Sequence, residues 1–130
     1  MVLILIVVAL MLQSLGYPAQ GKVVVNHEEQ IVNVPITTSG NNVYLAWSSN
    51  KTGNDEVMFK ASADNGKTFS DKMNLSNTPK SDSQDAQIAA AGNNVYITWW
   101  ERNQTMNEPA MRTSNDNGKT FGEKIMLSAK

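Results

Sequence analysis

The chain opens on an unbroken apolar run, Met1 to Leu12, and then changes character: beyond about residue 30, apolar and polar positions alternate with a period of two. That spacing sends successive side chains to opposite faces of an extended strand, whereas a helix would repeat its apolar positions every three or four residues. Over 94–101, Val95, Ile97 and Trp99 point one way, and Tyr96, Thr98 and Trp100 the other. Both sets hold β-branched or aromatic residues, so both faces of the strand are expected to be covered. Eight short runs of this kind predict strands at 35–38, 43–48, 56–62, 68–75, 86–91, 95–101, 109–113 and 120–127. Gly-Asn-Asn joins the first and second run of each four, and Asp-Asn-Gly joins the third and fourth. Both triplets supply residues that accept the positive φ of tight turns.

The pattern repeats with a period of 52 residues. Gly40-Asn-Asn-Val-Tyr-Leu-Ala-Trp47 returns as Gly92-Asn-Asn-Val-Tyr-Ile-Thr-Trp99, and Ser62-Ala-Asp-Asn-Gly-Lys-Thr-Phe69 returns as Ser114-Asn-Asp-Asn-Gly-Lys-Thr-Phe121. The same offset superposes Glu56 on Glu108, Lys72 on Lys124 and Leu75 on Leu127 without a gap. Each unit therefore reads as a four-stranded antiparallel meander. Four strands in a unit of about 40–50 residues are what a β-propeller blade contains.

Composition narrows the function classes. Across 130 residues, 41% are hydrophobic and 18% charged, an ordinary globular balance with too much apolar content for a disordered chain. A net charge of -1 and the absence of any basic block argue against a nucleic-acid partner. No Cys and a single His (His27) exclude disulfides, thiol catalysis and His-cluster or Cys-ligated metal sites within one chain. No cofactor is expected.

The opening run is too short for a spanning helix of about 20 residues, and the small residues Ser14 and Gly16 follow it, so residues 1–16 read as a secretory signal cut after Gly16. No basic residue precedes the run, which keeps an uncleaved membrane anchor or a start placed too late as alternatives. The expected location is secreted or cell-surface, in keeping with sequons at Asn50, Asn74 and Asn103. Residues 17–30 read as a linker able to add an edge strand, 31–78 as the first blade and 79–130 as the second.

The octets containing Ser62, Asp64, Gly66, Thr68 and Phe69, and again Ser114, Asp116, Gly118, Thr120 and Phe121, resemble the Asp-box, or bacterial neuraminidase repeat, of sialidases and other propellers. The resemblance covers roughly 31–130 and implies an all-β fold: two four-stranded antiparallel blades of an incomplete sialidase-like β-propeller behind an N-terminal hydrophobic segment. In such a box the aspartate accepts bonds across the turn, glycine takes the positive φ, Ser and Thr add local bonds and Phe packs beneath. These residues are therefore expected to be scaffold. The resemblance also implies an exo-sialidase activity, which needs three arginines for the substrate carboxylate, an acid, and a tyrosine nucleophile with its glutamate. The chain has only Arg102 and Arg112; Arg112 aligns with Lys60 and reads as a solvated edge charge, while Tyr44 and Tyr96 are repeat-equivalent core positions. No catalytic residue transfers.

A meander sends its loops alternately to opposite ends, which places the Gly-Asn-Asn and Asp-box turns together. The other end carries the loops 50–55, 77–85 and 102–107, where the repeats diverge. Trp100, Glu101, Arg102, Asp82 and Asp85 face Ser48, Ser49, Asn50, Gln30 and Asn33 in the alignment, and these five are the candidate binding residues: an aromatic beside a guanidinium and carboxylates suits a sugar. Trp47 and Trp99 are expected in the core. The expected function is a non-catalytic Asp-box module binding a glycan or a surface protein; the alternatives are a fragment of an exo-α-sialidase lacking its catalytic residues, and a structural segment of a longer surface protein. Propellers close with about 4–8 blades, so the missing ones are expected from a longer chain, from another propeller protein or from self-association, with a trimer giving six.

Overall fold

The computed structural model describes residues 20–27 and 30–128, with side chains from Val34 onward; the segment 1–16 lies outside the described residues. The chain there is all-β, without a helix. Strands β1 (Gln20–His27), β2 (Gln30–Ser39), β3 (Asn42–Ser49), β4 (Glu56–Ser62) and β5 (Met73–Asn74) form one antiparallel sheet in chain order. Strands β6 (Asp82–Ala91), β7 (Asn94–Arg102), β8 (Asn107–Ser114) and β9 (Ile125–Met126) form the second. The first repeat supplies β2–β5, and β1 adds an edge strand antiparallel to β2. His27 is its last residue, paired with Gln30.

The β2–β3 and β6–β7 hairpins turn on Gly40 (φ 58°) and Gly92 (φ 57°). The last strand of each repeat is far shorter than the eight residues the pattern predicts. In each case the Asp-box holds the chain away from its neighbour, so that single bonds replace the ladder: Ser70 N to Ala61 O (2.8 Å) and Gly122 N to Thr113 O (2.9 Å). Pairing resumes only at Met73 with Phe59 and at Ile125 with Met111.

The core lies between the sheets. Tyr44, Ala46, Val57 and Phe59 of the first face Ala86, Ile88, Ala90, Val95, Ile97, Trp99 and Ala110 of the second. β6 lies over β2, β3 and β4, and its alternate alanines let the backbones come close. Trp99 is 1% exposed, a burial whose loss to alanine would cost about 3–5 kcal/mol. Coverage is one-sided, which corrects three expectations. Tyr44 is buried but its counterpart Tyr96 is 41% exposed. Trp99 is buried but Trp47 is only half-buried, and Phe69, expected beneath its turn, is 38% exposed. The first sheet turns its Tyr44 face to the second sheet, while the second presents its Trp99 face in return, so equivalent residues meet different neighbours.

Candidate functional site

The two Ser-x-Asp-x-Gly-x-Thr-Phe turns, at 62–69 and 114–121, fold as the same bonded unit. Ser62 Oγ donates to Asp64 Oδ1 (2.7 Å), Gly66 N donates to Ser62 Oγ (2.8 Å), and Thr68 donates its N–H (2.8 Å) and hydroxyl (2.6 Å) to Asp64. Ser114, Asp116, Gly118 and Thr120 reproduce the set. Donation from the Thr120 hydroxyl, then from its N–H and the Ser114 hydroxyl, pulls Asp116 from 3.8 to about 2. Asp64 is held lower still by Thr68 and Ser62. Both carboxylates are ionised and spent on their own turns, which disposes them badly for acid catalysis. Each turn also donates to the neighbouring hairpin, Asn65 N to Asn41 O and Asn117 N to Asn93 O (both 2.9 Å), so all four turns share one end of the molecule.

The opposite end carries an open groove of about 720 Å³, lined among others by Asn54, Lys80, Asp82, Gln84, Arg102 and Asn103. Three loops build it, and side chains fix each of them. Asn54 Nδ2 donates to Thr78 O (2.8 Å) and Ser81 O (2.7 Å), holding the second loop against the first. Asn103 Oδ1 accepts from Thr105 N and Met106 N (both 2.9 Å), an Asx turn that shapes the third. Asp55 N donates to Asp82 Oδ1 (3.0 Å).

Arg102 is the centre of the charged patch. Its guanidinium donates to Asp85 Oδ2 (2.8 Å), Gln84 Oε1 (3.0 Å) and Asn107 Oδ1 (3.1 Å), and lies 6.0 Å from the centre of the Trp100 ring. The Trp100 ring is 38% exposed. Asp85 owes its position to a bulge between Gln84 and Gln87, where it adopts φ 57°. The extra residue restores alternation, so that Ser83 and Ala86 both point inward while Asp85 stays at the surface.

Four of the five candidate residues, Trp100, Arg102, Asp82 and Asp85, therefore gather at this end. Glu101 does not join them. It is wholly buried, accepting from Lys124 Nζ (2.9 Å), Trp99 Nε1 (3.0 Å) and Ser83 Oγ (3.3 Å), all of the second repeat. Period-two alternation places Glu101 on the Trp99 face and Trp100 on the outer one. Arg112 is also not a solvated edge charge: β8 is an interior strand, and Arg112 is half-buried with Nε sealed from solvent and unpartnered. Asn54, Lys80 and Gln84 went unnamed among the candidates, although Gln84 against Val32 and Lys80 against Glu28 depart from the repeat as plainly as Asp82 against Gln30.

A second cleft, about 620 Å³, lies at the Asp-box end between Ala61, Phe69, Met73 and the second box at Asn117 and Gly118. It marks where the sheets diverge and offers fewer charged groups. Among the described residues, no group of three or more His, Asp or Glu is placed to hold a metal ion, and no helix is long and apolar enough to cross a membrane. No family model, curated protein or solved structure matches the chain.

Proposed function

We propose that the chain is a non-catalytic, exported or surface-attached Asp-box propeller module that uses the groove at its loop end to bind a glycan, or a protein bearing one. The observation that carries this reading is the Trp100–Arg102–Asp85 constellation beside a groove whose other walls are amide, hydroxyl and carboxylate groups. A sugar ring presents an apolar face and a rim of hydroxyls; an exposed indole stacks on the first while fixed polar groups bond the second. The propeller reading draws on the 52-residue unit, the Asp-box turns and the face-to-face stacking of successive sheets.

Two facts weigh against hydrolysis. Arg102 closes the loop end of β7, while Arg112 pairs with Ile97, five residues away, or about 16 Å along the strand. The two guanidiniums cannot converge on one carboxylate, and a third arginine is lacking. The tyrosines are also unsuited: burial raises Tyr44, partly offset by its bond to Asn42, so its phenolate is disfavoured.

The test is titration of the chain with a glycan array, followed by calorimetry with 3′-sialyllactose and lactose. Saturable binding to one class is expected, weakened about tenfold or more by Trp100→Ala or Arg102→Ala, the cost of a lost stack or fork contact. No glycan bound on the array would reject the glycan reading. Release of sialic acid from 3′-sialyllactose would reject the non-catalytic one.

A further inference from the structure

The two repeats place equivalent side chains on equivalent faces, yet their burial runs in antiphase. Thr37, Tyr44, Ala46, Val57 and Phe59 are buried, while Ala89 and Tyr96 are exposed and Thr98, Pro109 and Met111 half-buried. On the other face Ile88, Ala90, Val95, Ile97 and Trp99 are buried, while Ile36, Thr38, Val43, Leu45 and Trp47 are half-buried. The junction between the sheets is therefore heterologous: it joins two different faces of one unit and leaves, among the described residues, one further copy of each face without a sheet against it.

The Asp-box end repeats this asymmetry atom by atom. Around the first repeat, Asn117 Oδ1 accepts from Asn42 Nδ2 (3.1 Å) and Tyr44 OH (3.4 Å), Phe121 stacks edge-on against Phe59 (4.9 Å), and Gly118 lies against the same ring. Asn117 and Gly118 form one wall of the cleft lined by Asn42, Ala61, Ser62, Thr68 and Phe69. An equivalent cleft of about 430 Å³, lined by Asn94, Thr113, Ser114, Thr120 and Phe121, opens on the second repeat, and among the described residues no further turn of this kind lies against it. The matching plug lies elsewhere on the same molecule: Asn65 is exposed, Phe69 is 38% exposed, and no atom approaches a Cβ on Gly66 closer than 3.8 Å.

Where the internal junction is polar, Ser48 Oγ donates to Ser83 O (3.1 Å). One internal bond, Ser39 Oγ to Gly92 O, has no counterpart because position 91 is Ala.

We infer that a second copy of this chain docks its first sheet on the open Tyr96 face of the second sheet, reproducing the internal junction between chains. The incoming Asn65 accepts from Asn94 and Tyr96, and the incoming Phe69 packs on Met111, where Phe121 packs on Phe59 inside one chain. A heterologous contact propagates until it closes, and two to four chains would supply the about 4–8 sheets of a closed ring.

Sedimentation equilibrium of the full chain tests this, with Tyr96→Glu blocking the open face and Phe69→Glu blocking the plug. The wild-type chain is expected as a closed species of two to four copies. Each variant alone buries an unpaired carboxylate in the contact and weakens association about 30-fold or more. Mixed together, the two variants form a one-to-one dimer through their intact faces, which also shows that both are folded. Met111→Lys replaces Tyr96→Glu should the latter unfold. A monomeric wild-type chain, variants that stay monomeric when mixed, or association insensitive to both substitutions, as the apolar run 1–12 would give, each overturn the inference.

Discussion

Gly66 and Gly118 occupy the same position of the same turn, and the structure predicts different costs for the same substitution. Both have positive φ, 83° and 76°, so alanine at either carries a backbone penalty of about 1–2 kcal/mol. At Gly66 the penalty ends there, because a Cβ would meet nothing nearer than 3.8 Å. At Gly118 the Cβ would lie 2.6 Å from Phe59 Cζ and 3.0 Å from Cε1. That ring is 1% exposed and held between Tyr44 and Phe121, with centroids at 6.2 and 4.9 Å, so it cannot swing aside without disturbing the core. Overpacking of this kind costs about 1–3 kcal/mol more. With a urea slope of about 2 kcal/mol/M, Gly118→Ala should unfold at a midpoint lower than Gly66→Ala by about 0.5–1.5 M. Phe59→Leu in the Gly118→Ala background should recover part of the difference. Equal midpoints for the two alanine variants would mean that the second box does not press on the first sheet, and the described junction would be wrong.

Other consequences follow from the ionised groups. Lys124→Met should cost about 3 kcal/mol, the lower end for breaking a buried pair because the ammonium is a quarter exposed, with chemical denaturation as the measure. A loss under about 1 kcal/mol would show that Glu101 does not depend on it. Asp64 and Asp116 have folded values below their unfolded one of 3.8, so the stability they contribute is complete above that value. It drains as pH falls toward about 2 for Asp116 and lower for Asp64. Asp64→Asn and Asp116→Asn should each flatten the acid limb of stability against pH between about 4 and 2, and an unchanged limb would count against the turn bonds. Arg102→Lys should leave stability within about 0.5 kcal/mol, as surface changes do, while losing the three-way contact to Gln84, Asp85 and Asn107 and weakening glycan binding about tenfold. Unaltered binding by that variant would place the ligand elsewhere.

Local chemistry made the strands and turns legible. Strand β4 has the expected bounds, Glu56–Ser62, and both Ser-x-Asp-x-Gly-x-Thr turns bond as their Ser, Asp, Gly and Thr dictate. The short β5 and β9 were not legible, because Thr68 and Phe69 favour a strand locally while the preceding turn diverts the backbone and pairing resumes only at Met73. Nor was the fate of paired residues: Tyr44 and Tyr96 both end the same pentapeptide Gly-Asn-Asn-Val-Tyr, and the presence of a neighbouring sheet separates a buried phenol from an exposed one. At the loop end, divergence between repeats located the groove but not the roles within it. Glu101 and Trp100 diverge equally, and the one-residue step between them decides which faces the interior.

That step also explains how a groove made of loops can hold a fixed shape. Under it, two buried glutamates are joined by a chain of hydroxyls. Glu56 accepts from Ser76 Oγ and from Thr78 N (2.9 Å), Thr78 Oγ1 lies 2.9 Å from Ser83 Oγ, and Ser83 donates to Glu101, which Trp99 and Lys124 complete. The network crosses from the first sheet through the 77–81 loop to the second, so that loop cannot shift without leaving a buried carboxylate short of donors, a cost well above that of an exposed bond. Ser83 and Glu101 replace Ile31 and Ser49 of the first repeat, so the polar stitch exists only at this junction. At the junction between the two sheets the contact of Tyr44, Phe59, Ile97 and Trp99 is apolar, while the contact through Glu56, Thr78, Ser83 and Glu101 is polar and anchors the loops lining the groove.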